Sequence, residues 1–251
     1  MQILYTPNDS AGKELDDSLE PNRKFPRDLP MTSHIYSIGP NGELTYDSPL
    51  DMDKYLYSSQ GSAYKNFQGT CGLCSIANVL RLAGVNASEK EIIDFAANRP
   101  YTCTILGEEI PWGRRLCVVT HLDPYANGGT SAYHRQIILE HFGISSSIVP
   151  IETKNGRATY DALEDIANYV ADGKGVIIAI NAKILDPIFY KPNTNDDLHA
   201  VTVTSVTRNR KGEVTGFYIC DSNFGTSYYP SDTVQDALTG APMNVTNTHI
   251  R

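Results

Sequence analysis

Two cysteines three positions apart, in the run Gln68-Gly69-Thr70-Cys71-Gly72-Leu73-Cys74-Ser75, lead directly into an apolar segment of helical period. A thiol at the start of a helix meets unpaired backbone N–H groups and the positive end of the helix dipole. Both favour the thiolate, which is the nucleophilic form, over a thiol whose free pKa is about 8.5. Such a nucleophile needs a base, a group to orient the base, and a donor for the oxyanion. His199 opens the alternating run His199-Ala200-Val201-Thr202-Val203-Thr204-Ser205-Val206, and Asp221 closes the run Gly216-Phe217-Tyr218-Ile219-Cys220. The turn Asn209-Arg210-Lys211-Gly212-Glu213 joins the two runs into a hairpin, whose first and last residues are neighbours. His199 and Asp221 are thereby expected to meet as base and orienter. Gln68 lies six positions before Cys74, across a glycine, and is expected to aim its side-chain N–H at the oxyanion beside the backbone N–H of the nucleophile.

Each residue also has an ordinary reading. Cysteines serve as packing groups, a histidine opening a strand bonds a loop, and an aspartate before Ser222-Asn223 makes an Asx turn. It is the combination of Gln, Cys, His and Asp, with the cysteine on a helix start and the others on adjoining strand ends, that selects catalysis. The pair Cys71 and Cys74 is also a CxxC. A zinc site asks for a second close pair of ligands, and Cys103 and Cys117 stand apart. A redox site asks for a βαβ setting, which the polar residues before Gln68 do not offer. No metal and no cofactor are expected.

Composition narrows the partners. The net charge is −8 in 251 residues, with pI near 5.2, which argues against a nucleic-acid partner. A protein or peptide substrate fits better, and the sequence leaves the oligomeric state open. Apolar residues make up 41% of the chain, enough for a core, and no run reaches the roughly 18 apolar residues that span a bilayer. The first residues lack the order of a signal peptide, so the expectation is a cytoplasmic protein or one exported by another route. The five cysteines are an odd number, which speaks against a fully paired secreted framework.

The elements that must position these groups follow from periodicity. Residues 1–58 read as an arm or linker with a hairpin about Asn41-Gly42, and residues 59–251 as the catalytic domain. Helical spacing holds from Ser75 to Ala83. Ser88 and Glu91 form a capping box for Glu89 to Asn98, and Thr130 or Ser131 caps Ala132 to Phe142. His134 and His141 on that helix read as surface residues. Tyr160 to Ala171 is a further helix, and Val176 to Ile180 a buried strand. Asp232 to Arg251 reads as a short helix and an extended tail. Helices thus dominate the first half and antiparallel strands the second, an α+β layout in which two lobes meet over a cleft.

With Gln68, Cys71, Cys74, His199 and Asp221 in place, the chain resembles the papain-like cysteine peptidase superfamily, and more closely its bacterial C39-like branch. Gln68 to Cys74 is similar to the papain oxyanion and nucleophile motif, departing at Ser75, where papain relatives carry Trp. Cys71-Gly72, Gly129-Thr130-Ser131, Gly173-Lys174-Gly175, His199-Ala200-Val201 and Asp221 resemble the C39-like pattern, from about residue 60 to 230. The segment Gly240 to Thr246 resembles the close of domains at the C-termini of bacterial toxin-like proteins. The resemblance implies a papain-like fold, with a helical N-terminal lobe and an antiparallel β-sheet C-terminal lobe flanking the active site. It implies a cysteine peptidase of bacterial origin, working through a Cys-His-Asp triad and a Gln oxyanion donor. The same machinery serves a glutamine deamidase or a transglutaminase-like acyltransferase effector, and an inactive relative would bind peptides. The papain pattern selects Cys74 as nucleophile and the C39-like pattern selects Cys71; the Gln-to-Cys interval tips the expectation to Cys74.

Overall fold

The computed structural model describes residues 35–38, 44–46, 59–98, 102–105, 108–111, 115–120, 123–187 and 198–250. Residues 1–34, the Asn41-Gly42 turn and Trp112 lie outside them. Strands β1 (Ile35–Ile38) and β2 (Leu44–Tyr46) pair antiparallel, as the flanks of an expected hairpin. Helix α1 runs Cys71–Leu82, α2 Glu89–Asn98, α3 Ala132–His141 and α4 Tyr160–Ala171. A small ladder joins β3 (Thr102–Ile105) to β4 (Glu108–Pro111). The later strands are β5 (Ser146–Val149), β6 (Thr153–Lys154), β7 (Arg157–Ala158), β8 (Val176–Asn181), β9 (Leu198–Arg208), β10 (Val214–Asp221), β11 (Gly225–Pro230) and β12 (Met243–Thr246), with the short helices α5 (Ala182–Leu185) and α6 (Ser231–Ala237) between them.

Caps mark the helix starts that the sequence implied. Glu91 and Ser88 exchange backbone and side-chain bonds before α2, and the His134 N–H donates to Ser131 Oγ at 3.3 Å at the head of α3. Thr159 accepts from the Ala162 N–H ahead of α4. Each such cap satisfies backbone donors that the first turn leaves unpaired.

One antiparallel sheet organises the rest, in the order β1-β2-β9-β8-β12-β5, with β10 and β11 continuing from the other side of β9. β9 is its spine. Its first half pairs with β8 and its second half with β10 and β2. Apolar residues fill both faces of the sheet. Val176, Ile178 and Ile180 join one buried cluster with α4 and α6, while Ile177 and Ala200 join a second with α1, α2 and α3. The alternation along β8 is what a strand covered on both faces requires.

Two expectations change here. Helix α1 begins at Cys71, one turn earlier than the apolar spacing from Ser75 indicates. The predicted extended tail is instead β12, an interior strand held between β8 and β5 with all four residues buried. The apolar alternation of Met243-Asn244-Val245-Thr246 is too short to announce a strand by itself, and the sheet supplies its partners.

Candidate active site

Helix α1 is buried almost all round, so its position depends on polar bonds as well as packing. Ser75, where the papain resemblance expects Trp, donates from Oγ to the Ala200 carbonyl at 3.1 Å. Thr202 Oγ1 donates to the Ser75 carbonyl at 3.4 Å, and Asn78 Nδ2 reaches Cys220 Sγ at 3.4 Å. These bonds fasten the first two turns of α1 across β9 and β10. Gly72 allows a close approach on the other side, because a Cβ there would collide with Thr130 Oγ1.

The result is a line of three groups. The Ala200 N–H donates to Cys71 Sγ at 3.4 Å, and the preceding residue, His199, hydrogen-bonds the same sulfur. His199 Nε2 lies 3.0 Å from Asp221 Oδ1, which leaves Nδ1 for the thiol. His199 is 5% exposed and Asp221 1%. Asp221 Oδ1 also accepts from the Asn223 N–H at 2.7 Å, so the carboxylate is fixed from behind as well as in front. The hairpin of β9 and β10 delivers the pair as its strand ends, as the sequence led us to expect.

The charges in this line reinforce one another. Burial pushes the Cys71 thiol up, but its bond to His199, the imidazolium charge, the Ala200 N–H and the nearby Arg135 more than offset that, and the thiol is lowered. Burial likewise pulls the His199 imidazole down, yet the bonds to Asp221 and Cys71 raise it to about 10. A thiolate beside an imidazolium is the state both shifts favour.

Cys74 is placed elsewhere. It has no exposed surface and stands at the fourth position of α1, with Thr70 Oγ1 3.8 Å from its sulfur. Thr70 Oγ1 donates to Glu89 Oε1 at 2.6 Å. Burial first, and then the Glu89 charge, push the Cys74 thiol well up. The structure therefore brings Cys71, and not the Cys74 that the Gln-to-Cys interval selects, to His199. The physical reason is the helix start: beginning at Cys71, the first turn points Cys71 to β9 and Cys74 inward to α2.

Gln68 also departs from the expected geometry. Its Nε2 donates to the Lys65 carbonyl at 2.9 Å and its Oε1 packs on Gly61, while its backbone N–H bonds the Pro124 carbonyl. A different glutamine stands by the residue that follows Asp221. Gln60 takes the Ser222 Oγ–H on its Oε1 at 3.0 Å and donates its backbone N–H to the Ser222 carbonyl, directly after Asp221. The next residue, Gly61, donates to Thr70 Oγ1 at 3.0 Å, directly before Cys71. Gln60 thus bridges the two sides of the site. No local pattern around Gln60 marks it in the sequence, because its place comes from a loop contact with Ser222.

Among the described residues no group of three or more His, Cys, Asp or Glu is arranged to hold a metal, and no helix is long and apolar enough to cross a membrane. His134 caps α3, and the His141 ring stacks on Phe95 at 3.6 Å between centroids.

No family model matches the chain, and no curated protein does. Among solved structures, one described as a C39-like peptidase from Bacillus anthracis overlaps 77% of this chain and 94% of its own, at 14% identity and TM-score 0.49. Another, a double-glycine-motif protease from an AMS/PCAT transporter in complex with the leader peptide, overlaps 71% and 84%, at 17% identity and TM-score 0.38.

Proposed function

We propose that the chain is a cysteine peptidase acting on a protein or peptide, with Cys71 as nucleophile. The observation that carries this is the line from the partly buried Cys71 through the buried His199 to Asp221, in which a thiol is lowered and an imidazole raised by each other. Cys71 attacks the scissile carbonyl, and a tetrahedral oxyanion forms. His199 then gives its proton to the leaving amine, the acyl-enzyme forms, and a water activated by His199 releases the acid. Asp221 keeps the imidazole in the tautomer that presents Nδ1 to sulfur. The oxyanion takes the backbone N–H of Cys71 and a side-chain amide, a role for which Gln60 is better placed than Gln68, because its Oε1 is fixed by Ser222, directly after Asp221, whereas the Gln68 amide donates to the Lys65 carbonyl.

The test is a peptide electrophile directed at thiols, with the modified residue mapped by mass. Labelling confined to Cys71, and lost in His199→Ala, supports the reading. Labelling of Cys74 would return the role to that thiol, and no thiol reacting faster than a free cysteine would favour a peptide-binding relative without activity. Intact-mass analysis of treated substrates separates cleavage from the deamidase and acyl-transfer readings, which leave the chain whole.

A further inference from the structure

Arg135 is 3% exposed, and its stem lies along the first turn of α1, with Cδ 3.6 Å from where a Cβ of Gly72 would stand. Its Nε donates to Asn244 Oδ1 at 2.7 Å and its Nη1 to the Thr130 carbonyl at 3.4 Å. Asn244, from β12, is held in turn by its Nδ2 on the Ala132 carbonyl at 2.9 Å. No carboxylate stands within ion-pair distance of this guanidinium among the described residues, and both of its acceptors are neutral. A cation buried in this way is costly unless a negative charge shares the site. Burial pushes the guanidinium down to about 10, and the group that pulls it back is Cys71. The influence is mutual, since Arg135 is among the groups that lower the Cys71 thiol.

We propose that Arg135 is a second supporting cation of the nucleophile, and that the Cys71 thiolate is the negative partner its buried guanidinium was placed for. Asn244 and Thr130 hold the guanidinium from behind α1, while His199 approaches the sulfur from β9. The thiolate is therefore balanced from two sides before it attacks, and again when the acyl group has been released and the sulfur departs as thiolate. This rests on Cys71 being the nucleophile.

The other groups that bear on this thiol are His199 on β9, with Asp221 of β10 behind it, and Cys74 on α1, with Glu89 of α2 behind it. On α3 itself, His134 neighbours Arg135 and is lowered by burial and by that cation. The experiment isolates Arg135 from all of these. The rate of Cys71 alkylation by iodoacetamide, mapped by mass, is followed against pH in the full chain and in Arg135→Met, Arg135→Lys and Asn244→Asp. In Arg135→Met the rate at about pH 6 should fall about tenfold and the midpoint should rise, as for a carboxylate or thiolate losing one close cation. Arg135→Lys should keep most of the rate. Asn244→Asp sets a carboxylate on Nε, at the loss of the bond to the Ala132 carbonyl, and should move the midpoint in the same direction as Arg135→Met. Asn244→Asp decides the matter if Arg135→Met fails to fold. An unchanged midpoint in folded Arg135→Met or in Asn244→Asp, or Arg135→Lys as impaired as Arg135→Met, overturns the proposal while leaving Cys71 as nucleophile. A Cys71 no more reactive than free cysteine in the unaltered chain overturns the nucleophile assignment and this proposal with it.

Discussion

Cys71 and Cys74 share the first turn of α1 and lie three residues apart, yet Cys71 meets His199 on the sheet while Cys74 meets Thr70 and Glu89 beneath it. Cys71→Ala should lower peptide turnover by at least about three orders of magnitude, as removal of a covalent nucleophile does. Cys74→Ala should leave the chemistry within about threefold of the starting rate and cost about 1 kcal/mol of stability, since it empties a small buried site. Turnover and urea unfolding of the two variants measure both effects. Loss of activity in Cys74→Ala with stability intact would reverse the assignment.

The two glutamines make a second contrast. Gln60→Ala should reduce kcat by about two orders of magnitude with little change in KM, the signature of an oxyanion donor. Gln68→Ala should cost less than about threefold, because its amide is spent on Lys65. Steady-state kinetics on one peptide substrate decide between them.

The raised imidazole gives a pH dependence with a defined sign. The folded value for His199 is about 10, against about 6.5 in an unfolded chain. Its contribution to stability is complete below about pH 6.5 and is lost as the pH rises through about 10. Asp221→Asn removes one of the two bonds that raise it. In that variant the imidazole C–H resonances should titrate at lower pH, and the stability gap to the unaltered chain should be widest near pH 6 and narrow towards pH 10. NMR titration and urea unfolding at the two pH values test this, and an unmoved midpoint would mean that Asp221 does not charge the ring.

Gly72 is a point of close approach between α1 and the residues that lead into α3. Gly72→Ala forces its methyl against Thr130 Oγ1, an atom with no hydrogen-bond partner among the described residues. The overpacking should cost about 1–3 kcal/mol. Thr130→Ala alone should cost little, and the double variant Gly72→Ala with Thr130→Ala should recover most of the loss, giving a coupling energy of about 1 kcal/mol or more. Additive losses would place the clash elsewhere.

Much of this site is legible in the sequence. The hairpin that delivers His199 to Asp221 follows from two alternating runs and a charged turn, because register in a strand pair has a period of two residues. Ser131 and Ser88 announce helix starts through capping chemistry that acts over three or four residues. What escaped was set by contacts distant in sequence. The choice of Cys74 came from counting six positions back to a glutamine, which presumes a loop of one shape. Here the loop is fastened to Asn127, whose Nδ2 donates to the Asn66 and Thr120 carbonyls. That crossing turns Gln68 towards Lys65 and brings Gln60 to Ser222. Arg135 was equally hidden: in sequence it is one charge on an amphipathic helix, and only the burial of α3 against β12 makes it a cation facing a thiol.

The placement of β12 sets an order of events during synthesis. Asn244, the residue that fixes the Arg135 guanidinium, sits on β12, which follows every other described strand in chain order and is wedged between β8 and β5. A nascent chain still lacking residues 243–246 has Cys71, His199 and Asp221 in hand but an open sheet and an untethered arginine. On the proposal made above for Arg135, the Cys71 thiolate gains its second cation only once β12 has closed the sheet, so the reactivity of the thiol is tied to completion of the fold.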